Sequence, residues 1–305
     1  LISALTTTTW DQNWPYNLYA PLVDGVGTRA PAGCVAVAMA QILKYYGKPS
    51  AIVGNPGYFD SGSCSGSRYA SDAGLGPYDW GNMPSAIFSG SPLAQQQAVA
   101  QLLYHCGVSV SMNYESGSSG AYSENVPNAL RTSFGYSCGN LDSRANYDWT
   151  YEWIGALQND FLANRPIYYS FQSPAAGHAV VCDGALDHWD YYEIHLNFGW
   201  GGFSDAWYVI DDSDTIYVGD TPWRYHSAIF GITPPEEYGS LKVNIFPSAA
   251  VSAGAQWRVD SVLFKKGGTW QNSGATVSGL SVGSYSVSFS PVSGYTTPGS
   301  FTVTI

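Results

Sequence analysis

The stretch RAPAGCVAVAMAQILKYYGKP, residues 29–49, constrains the fold more than any other. From Cys34 onward it reads as one helix. Gly47 and Pro49 stop it, because Gly favours the left-handed exit and Pro cannot continue the hydrogen-bond ladder. The segment is apolar nearly all round up to Gln41, so the protein must enclose it. Cys34 opens that helix. A cysteine there is either a small buried hydrophobe or a nucleophile, since unpaired N–H groups and a partial positive charge at a helix start favour thiolate. The choice turns on whether the chain also supplies a base, a group to orient it, and donors for an oxyanion.

The surrounding pattern is mixed. Helical periodicity appears at about 34–46, 92–105, 124–134 and 149–163. After residue 165 come short aromatic and β-branched runs, PIYYSF, HAVVCDG, WDYYEIHLN and AWYVID, set between Gly and Asp turn signals. Helices followed by an antiparallel sheet predict an α+β domain over residues 1–232. Residues 233–239 read as a linker. Residues 240–305 alternate in LKVNIFP, AQWRVD, YSVSFS and FTVTI, which predicts a small all-β, sandwich-like accessory domain, truncated at its last strand. Trp257 and Trp270 read as core of that domain, with glycan stacking as the other role open to them.

Charge and cysteine usage narrow the partners. A formal net charge of −11 argues against nucleic acid or an anionic membrane surface. No apolar run is long enough to span a bilayer. The chain starts at Leu1 without Met, as expected of a processed product whose targeting segment has been removed. Cys34, Cys64, Cys106, Cys138 and Cys182 are odd in number, so one thiol is left over, and Cys106 with Cys138 is one candidate disulfide. No C-x-x-C or H-E-x-x-H spacing occurs, so neither a zinc site nor a cofactor is expected. The glycine-rich loop at 115–123 lacks the Lys-Ser/Thr of a phosphate loop, and DDSD at 211–214 lacks EF-hand spacing and reads as a solvated turn.

His178 is the best candidate base. It opens the strand HAVVCDGA, and Ala176 and Gly177 before it leave room for a cleft. A tight hairpin centred on Asp187-His188 would set residue 178 opposite Asn197, with Cβ atoms about 5 Å apart. That is the arrangement that fixes an imidazole tautomer in a Cys-His-Asn site. His195, on the same face as Asn197, is the alternative base, whereas His105, His188 and His226 read as structural or surface residues. Trp200 would cover the His–Asn bond and exclude water. One oxyanion donor is the backbone N–H of Cys34, and the segment WDQNWPYN offers Gln12 or Asn13 as a second.

Four ordered segments resemble the streptopain-like cysteine peptidases, papain-fold enzymes that bacteria secrete as zymogens. They are QNWPYN at 12–17, GCVAVAMAQILKY at 33–45, AGHAVVCDGA at 176–185 and HLNFGWGGFSD at 195–205. The resemblance spans most of residues 10–232 and leaves out the C-terminal domain. It implies Cys34 as nucleophile, His178 as general base and Gln12 as oxyanion donor, with Asn197 and Trp200 beside the histidine. It also implies a removed N-terminal prosegment. One departure falls at Phe198, where the family carries Trp; without an indole N–H the cleft wall becomes less polar, which predicts altered subsite preference.

The reading is a secreted or cell-surface, papain-like cysteine endopeptidase. It needs no cofactor or metal, and its partners are protein or peptide substrates. A cell-surface or matrix ligand is the partner the β domain would take. The Cys34 thiol is expected at about 3.5–7.5 through the helix terminus and His178. The alternatives are another cysteine acyl transferase or amidase, of the transglutaminase kind, and a non-catalytic adhesin on the same scaffold.

Overall fold

The computed structural model describes residues 2–23, 27–188, 191–210, 213–261 and 268–305. The chain divides into two compact units, Leu1–Pro235 and Glu236–Ile305.

The first unit is built around α1 (Cys34–Tyr46). Gly33 precedes it at φ +90°, where a Cβ would press on the Met112 side chain and the Ser119 carbonyl, so only glycine fits. Gly47 ends it in the left-handed conformation, its N–H bonded to the Leu43 and Lys44 carbonyls. Val35 to Leu43 are all buried, as the unbroken apolar pattern requires. The helix packs on α2 (Leu93–Ser109) on one side and on the sheet on the other. Two short hairpins, β1 (Gly57–Asp60) with β2 (Gly66–Tyr69) and β3 (Asn113–Tyr114) with β4 (Ser119–Gly120), and the helix α3 (Val126–Ser133) complete this helical half.

The other half is an antiparallel sheet. Its strands are β5 (Leu141–Ser143), β6 (Ile167–Gln172), β7 (Gly177–Asp187), β8 (Tyr192–Asn197), β9 (Ala206–Ile210), β10 (Ile216–Val218) and β11 (Thr221–Ile229). The order is β10-β11-β6-β7-β8-β9, with β5 also pairing β11. The period of two sorts the residues between two cores. Tyr168, Ala179 and Val181 join the core under α1. Ile167, Tyr169, Phe171, Val180 and Cys182 face the other core, with Trp153 and Leu157 of α4 (Thr150–Leu162).

The hairpin register differs from the sequence expectation. β7 runs to Asp187, and the His188 N–H reaches the Tyr191 carbonyl at 3.0 Å, so the turn lies beyond residue 187. A bulge at Asp183 moves the pairing back by one residue, which is too little to restore the expected register. Asn197 therefore sits opposite Val181, not His178. The bulge has a physical cause. Asp183 is fully buried, and its carboxylate accepts from the Thr6 N–H at 2.7 Å and the Thr6 hydroxyl at 2.6 Å, and meets His195 Nδ1 at 2.6 Å. That places His195 in a clamp on the N-terminal arm, which also bridges Ile2 to Ala185.

The second unit holds the strands after residue 236 around a separate core. β12 (Tyr238–Lys242) pairs β15 (Thr276–Ser281), and β14 (Gln271–Asn272), β13 (Gln256–Ser261), β16 (Ser284–Phe289) and β17 (Phe301–Thr304) form a four-stranded sheet in that order. A one-turn helix, α5 (Ser248–Ser252), was not apparent from the alternation. Trp257, Val259 and Val287 are its buried centre. Trp270 is 37 % exposed beneath the Arg258 guanidinium, 4.8 Å from its ring centre. Cys106 and Cys138 are not joined: Cys106 is buried in α2, and the Cys138 thiol points to the Pro127 carbonyl. Asp211 and Asp212 of the acidic turn lie outside the described residues, and Asp214 is paired with Arg144 at 2.9 Å.

Candidate active site

Cys34 and His178 line one cleft between the two halves. α1 delivers the thiol from its first turn, and β7 delivers the imidazole from its first residues. Gln12, Trp200, Ala176 and Gly177 line the cleft with them. Cys34 is partly exposed there, yet its sulfur is closely surrounded. Burial pushes the thiol up, and the backbone N–H groups of Ala179, Val35 and Cys34 pull it back without reversing the shift. Burial likewise pulls His178 down to about 4, against the opposing hydrogen bond to Phe198. Burial acts on each group in the direction of its uncharged form. For Cys34 this is opposite in direction to what the helix terminus alone would give.

The tautomer follows from one contact. His178 Nε2 lies 2.9 Å from the Phe198 carbonyl oxygen, which can only accept, so Nε2 carries the proton. Nδ1 is left to receive a proton from Cys34. Trp200 covers the ring, with centroids 4.6 Å apart, and the Phe198 ring stacks at 5.6 Å. Phe198 itself is fully buried in the sheet core with Phe171 and Trp223. It does not form the cleft wall expected of it. The residue meets the imidazole through its ring from the core side and through its backbone oxygen, and its N–H is held by Asp205 Oδ1 at 2.7 Å.

Asn197 does not touch the imidazole, because the register sets it three residues away. Its amide instead ties three segments together. Nδ2 donates to the Thr8 carbonyl, while Oδ1 accepts from Gln41 Nε2 at 2.9 Å and from the Gly199 N–H at 3.1 Å. Gln41 Oε1 in turn accepts from the Trp10 N–H at 3.3 Å. A backbone acceptor at one end and a backbone donor at the other leave each amide a single orientation. The chain runs from α1 to the turn that carries the Phe198 carbonyl. Gln41 was missed as a site residue, although its sequence signal was present: a fully polar side chain within an enclosed helix must find partners.

Gln12 and Asn13 both line the cleft, and their contacts differ. Asn13 Nδ2 is tied to Asp11 Oδ1 at 3.0 Å. Gln12 is fixed through its backbone, donating to Asp11 Oδ1 at 2.5 Å and accepting from the Ala32 N–H at 2.7 Å, two residues before Cys34. Its amide is left to line the cleft. The remaining histidines lie elsewhere. His105 bonds Tyr78 and Ala70, His226 bonds the Asp214 carbonyl, and His188 pairs with Glu193.

A helix-borne cysteine facing a strand-borne histidine, between a helical half and an antiparallel sheet, defines a papain-like cysteine peptidase scaffold. Comparison with known proteins narrows this. The sequence model of the peptidase C10 family matches residues 10–208, and the chain belongs to that family. It is 33 % identical over 201 residues to the thiol protease/hemagglutinin PrtT of Porphyromonas gingivalis, covering 65 % of this chain and 22 % of that protein. It is 30 % identical over 247 residues to streptopain of Streptococcus pyogenes, covering 74 % of this chain and 60 % of streptopain. The chain thus spans about three fifths or less of these curated relatives. Among solved structures, the active wild-type interpain A cysteine protease of Prevotella intermedia superposes with a TM-score of 0.66 at 31 % identity, covering 76 % of this chain and 95 % of that one. A prointerpain A fragment from the same organism gives 0.63 at 31 % identity, covering 77 % and 73 %. Among the described residues no helix is long and apolar enough to cross a membrane.

Proposed function

We propose that this chain is a cysteine endopeptidase acting through Cys34 and His178. The observation that carries the reading is the commitment of His178 Nε2 to the Phe198 carbonyl, which presents Nδ1 in the cleft that holds the Cys34 thiol. Nδ1 takes the thiol proton as sulfur bonds to the scissile carbonyl carbon, and the carbonyl electron pair moves to oxygen. The Gln12 amide and a backbone N–H at the start of α1 receive that oxyanion. The imidazolium gives its proton to the departing amine as the C–N bond breaks. Water then attacks the thioester, yields a proton to Nδ1, and the sulfur regains its hydrogen. Trp200 keeps water from the imidazole's hydrogen bond, and Asn197 positions the turn that accepts it.

The chain works outside a bacterial cell, matured by removal of an N-terminal prosegment, as the existence of a pro-form of interpain A supports for that relative. The first unit, Leu1–Pro235, is the peptidase domain, and the second, Glu236–Ile305, with β12 already begun at Tyr238 inside the stretch expected as linker, is an accessory domain for a cell-surface or matrix ligand. Cleavage of dye-labelled casein in reducing buffer, wild type beside Cys34→Ala, tests the central reading. Activity lost in the variant supports it. Equal activity in both would place the chemistry elsewhere.

A further inference from the structure

We propose that the cleft arm between residues 118–124 and β11 is a subsite for a long basic side chain of the substrate, lysine or arginine, read by Glu124 between Tyr122 and Tyr225. The proposal rests on the peptidase reading and specifies which sequences that site selects. The arm has a volume of about 580 Å³ and opens at Cys34 and His178. A side chain entering it lies beside the reacting bond.

Charge is the first argument. Apart from the catalytic pair, Glu124 is the one side chain lining this arm that is charged at neutral pH. It is exposed and has no ion-pair or hydrogen-bond partner among the described residues. Among the described residues no lysine or arginine lines this arm or the neighbouring one, where Asp11 already accepts three N–H groups. A carboxylate left unpaired in a cleft whose walls hold no cation favours a cation supplied by the substrate.

Shape is the second argument. Tyr122, in the 118–124 segment, and Tyr225, in β11, are each 78 % exposed, and both line the arm. Tyr225 holds φ +57° inside the bulge of β11 between Arg224 and Ser227. A non-glycine residue in that region costs on the order of 1–2 kcal/mol, and here it projects an aromatic ring at the cleft rim. Glu124 is equally well placed. It belongs to the turn Ser123–Asn125, and the Ser123 hydroxyl is 2.8 Å from the hydroxyl of fully buried Tyr168. Aromatic faces beside a carboxylate suit a cation.

The walls are mixed: Val35, Leu141 and Phe171 offer apolar surface to a side-chain stem, and polar groups stand beside them. Ser118, Ser123, Ser170, Gln172 and Ser227 contribute hydroxyl and amide groups. A leucine-like side chain would strip water from them and return no hydrogen bond. A lysine or arginine stem packs on the tyrosines while its head donates to the oxygens.

The test is cleavage of a mixed peptide library by the full chain, with cut sites read by mass spectrometry. Kinetics follow on matched peptides carrying lysine or uncharged norleucine at the enriched position. Expected is enrichment of Lys and Arg at one position within three residues of the cut. The ratio of kcat/KM for the lysine peptide over its norleucine twin should fall about tenfold in Glu124→Gln and drop below one in Glu124→Lys. Tyr225→Phe should keep the ratio and Tyr225→Ala should lower it. No basic enrichment, or a ratio unmoved by Glu124→Gln, overturns the subsite. A wild-type protein that cuts no peptide at all overturns the peptidase reading instead, and the subsite with it.

Discussion

Replacing Gln41 with Leu tests whether the amide chain behind the cleft positions the base. Leu keeps nearly the same volume inside α1, so packing changes little and the loss is confined to hydrogen bonds. The Trp10 N–H, fully buried, loses its acceptor, which costs about 1–3 kcal/mol for an orphaned donor. Asn197 Oδ1 loses the 2.9 Å bond from Gln41 but keeps the Gly199 N–H at 3.1 Å, a loss of about 1 kcal/mol. Together these predict a destabilisation of about 2–4 kcal/mol, readable in urea unfolding. The catalytic effect is separate. The Phe198 carbonyl would remain held through the Asp205 contact on its own N–H, so the imidazole loosens without being released. A displacement of this kind predicts kcat down by roughly 10-fold, since a 1 Å misplacement can cost about 100-fold. KM should move little, because Gln41 lines no part of the cleft around Cys34. Gln41→Glu makes the orientation explicit: an ionised carboxylate still accepts from Trp10 but cannot donate to Asn197. A Gln41→Leu protein with stability within about 0.5 kcal/mol of wild type and unchanged kcat would refute the reasoning.

Three further outcomes follow from the same contacts. Gln12→Ala should lower kcat/KM by about 100-fold or more, about 3 kcal/mol of oxyanion stabilisation, with an unfolding curve like that of wild type. Burial holds His105, His178 and His226 each at about 4 in the folded chain, below the ordinary value of 6.5. The unfolded chain therefore binds more protons between pH 6.5 and 4. Stability should fall as pH drops through that window and level off below it for these groups, at ~1.4 kcal/mol per pH unit for each histidine. Urea midpoints from pH 7 to 4 measure this, and His105→Gln should reduce the slope by about a third. Asp183→Ala leaves His195 and Thr6 without their common carboxylate; a loss of about 3–5 kcal/mol is expected for breaking such a buried arrangement, with the N-terminal arm becoming open to limited proteolysis.

The helices around the site were legible because local signals agree there. Gly33, Gly47 and an unbroken apolar run define α1 from the sequence, and the structure places it at Cys34–Tyr46. The pairing of β7 with β8 was not legible. Alternation tells which face a residue takes, but the position of the turn and a bulge at Asp183 set the register, and neither leaves a period-two signature. That single shift moved Asn197 from beside the imidazole to the amide chain behind it. β11 was missed altogether, since Pro222, Arg224 and His226 break its apolar pattern, yet it is a central partner of β6. Phe198 was assigned to the cleft wall because the resemblance sets a tryptophan there, and its burial depends on Phe171 and Trp223 arriving from other strands. The direction of the Cys34 shift depends on how tightly the cleft closes over the sulfur, which no local pattern encodes.

The oxygen that orients His178 belongs to the peptide group, and every amino acid carries one. Substitution at position 198 cannot delete it. Only a change in backbone path can, which makes Asp205, Asn197 and Gln41 the mutable guardians of that acceptor, while the ring at 198 bears on the imidazole through packing alone. A tryptophan-to-phenylalanine exchange at that position is then a packing adjustment made without touching the proton relay. The imidazole's alignment is in this sense inherited from the fold, and random substitution would reach it through distant residues before it reached the acceptor.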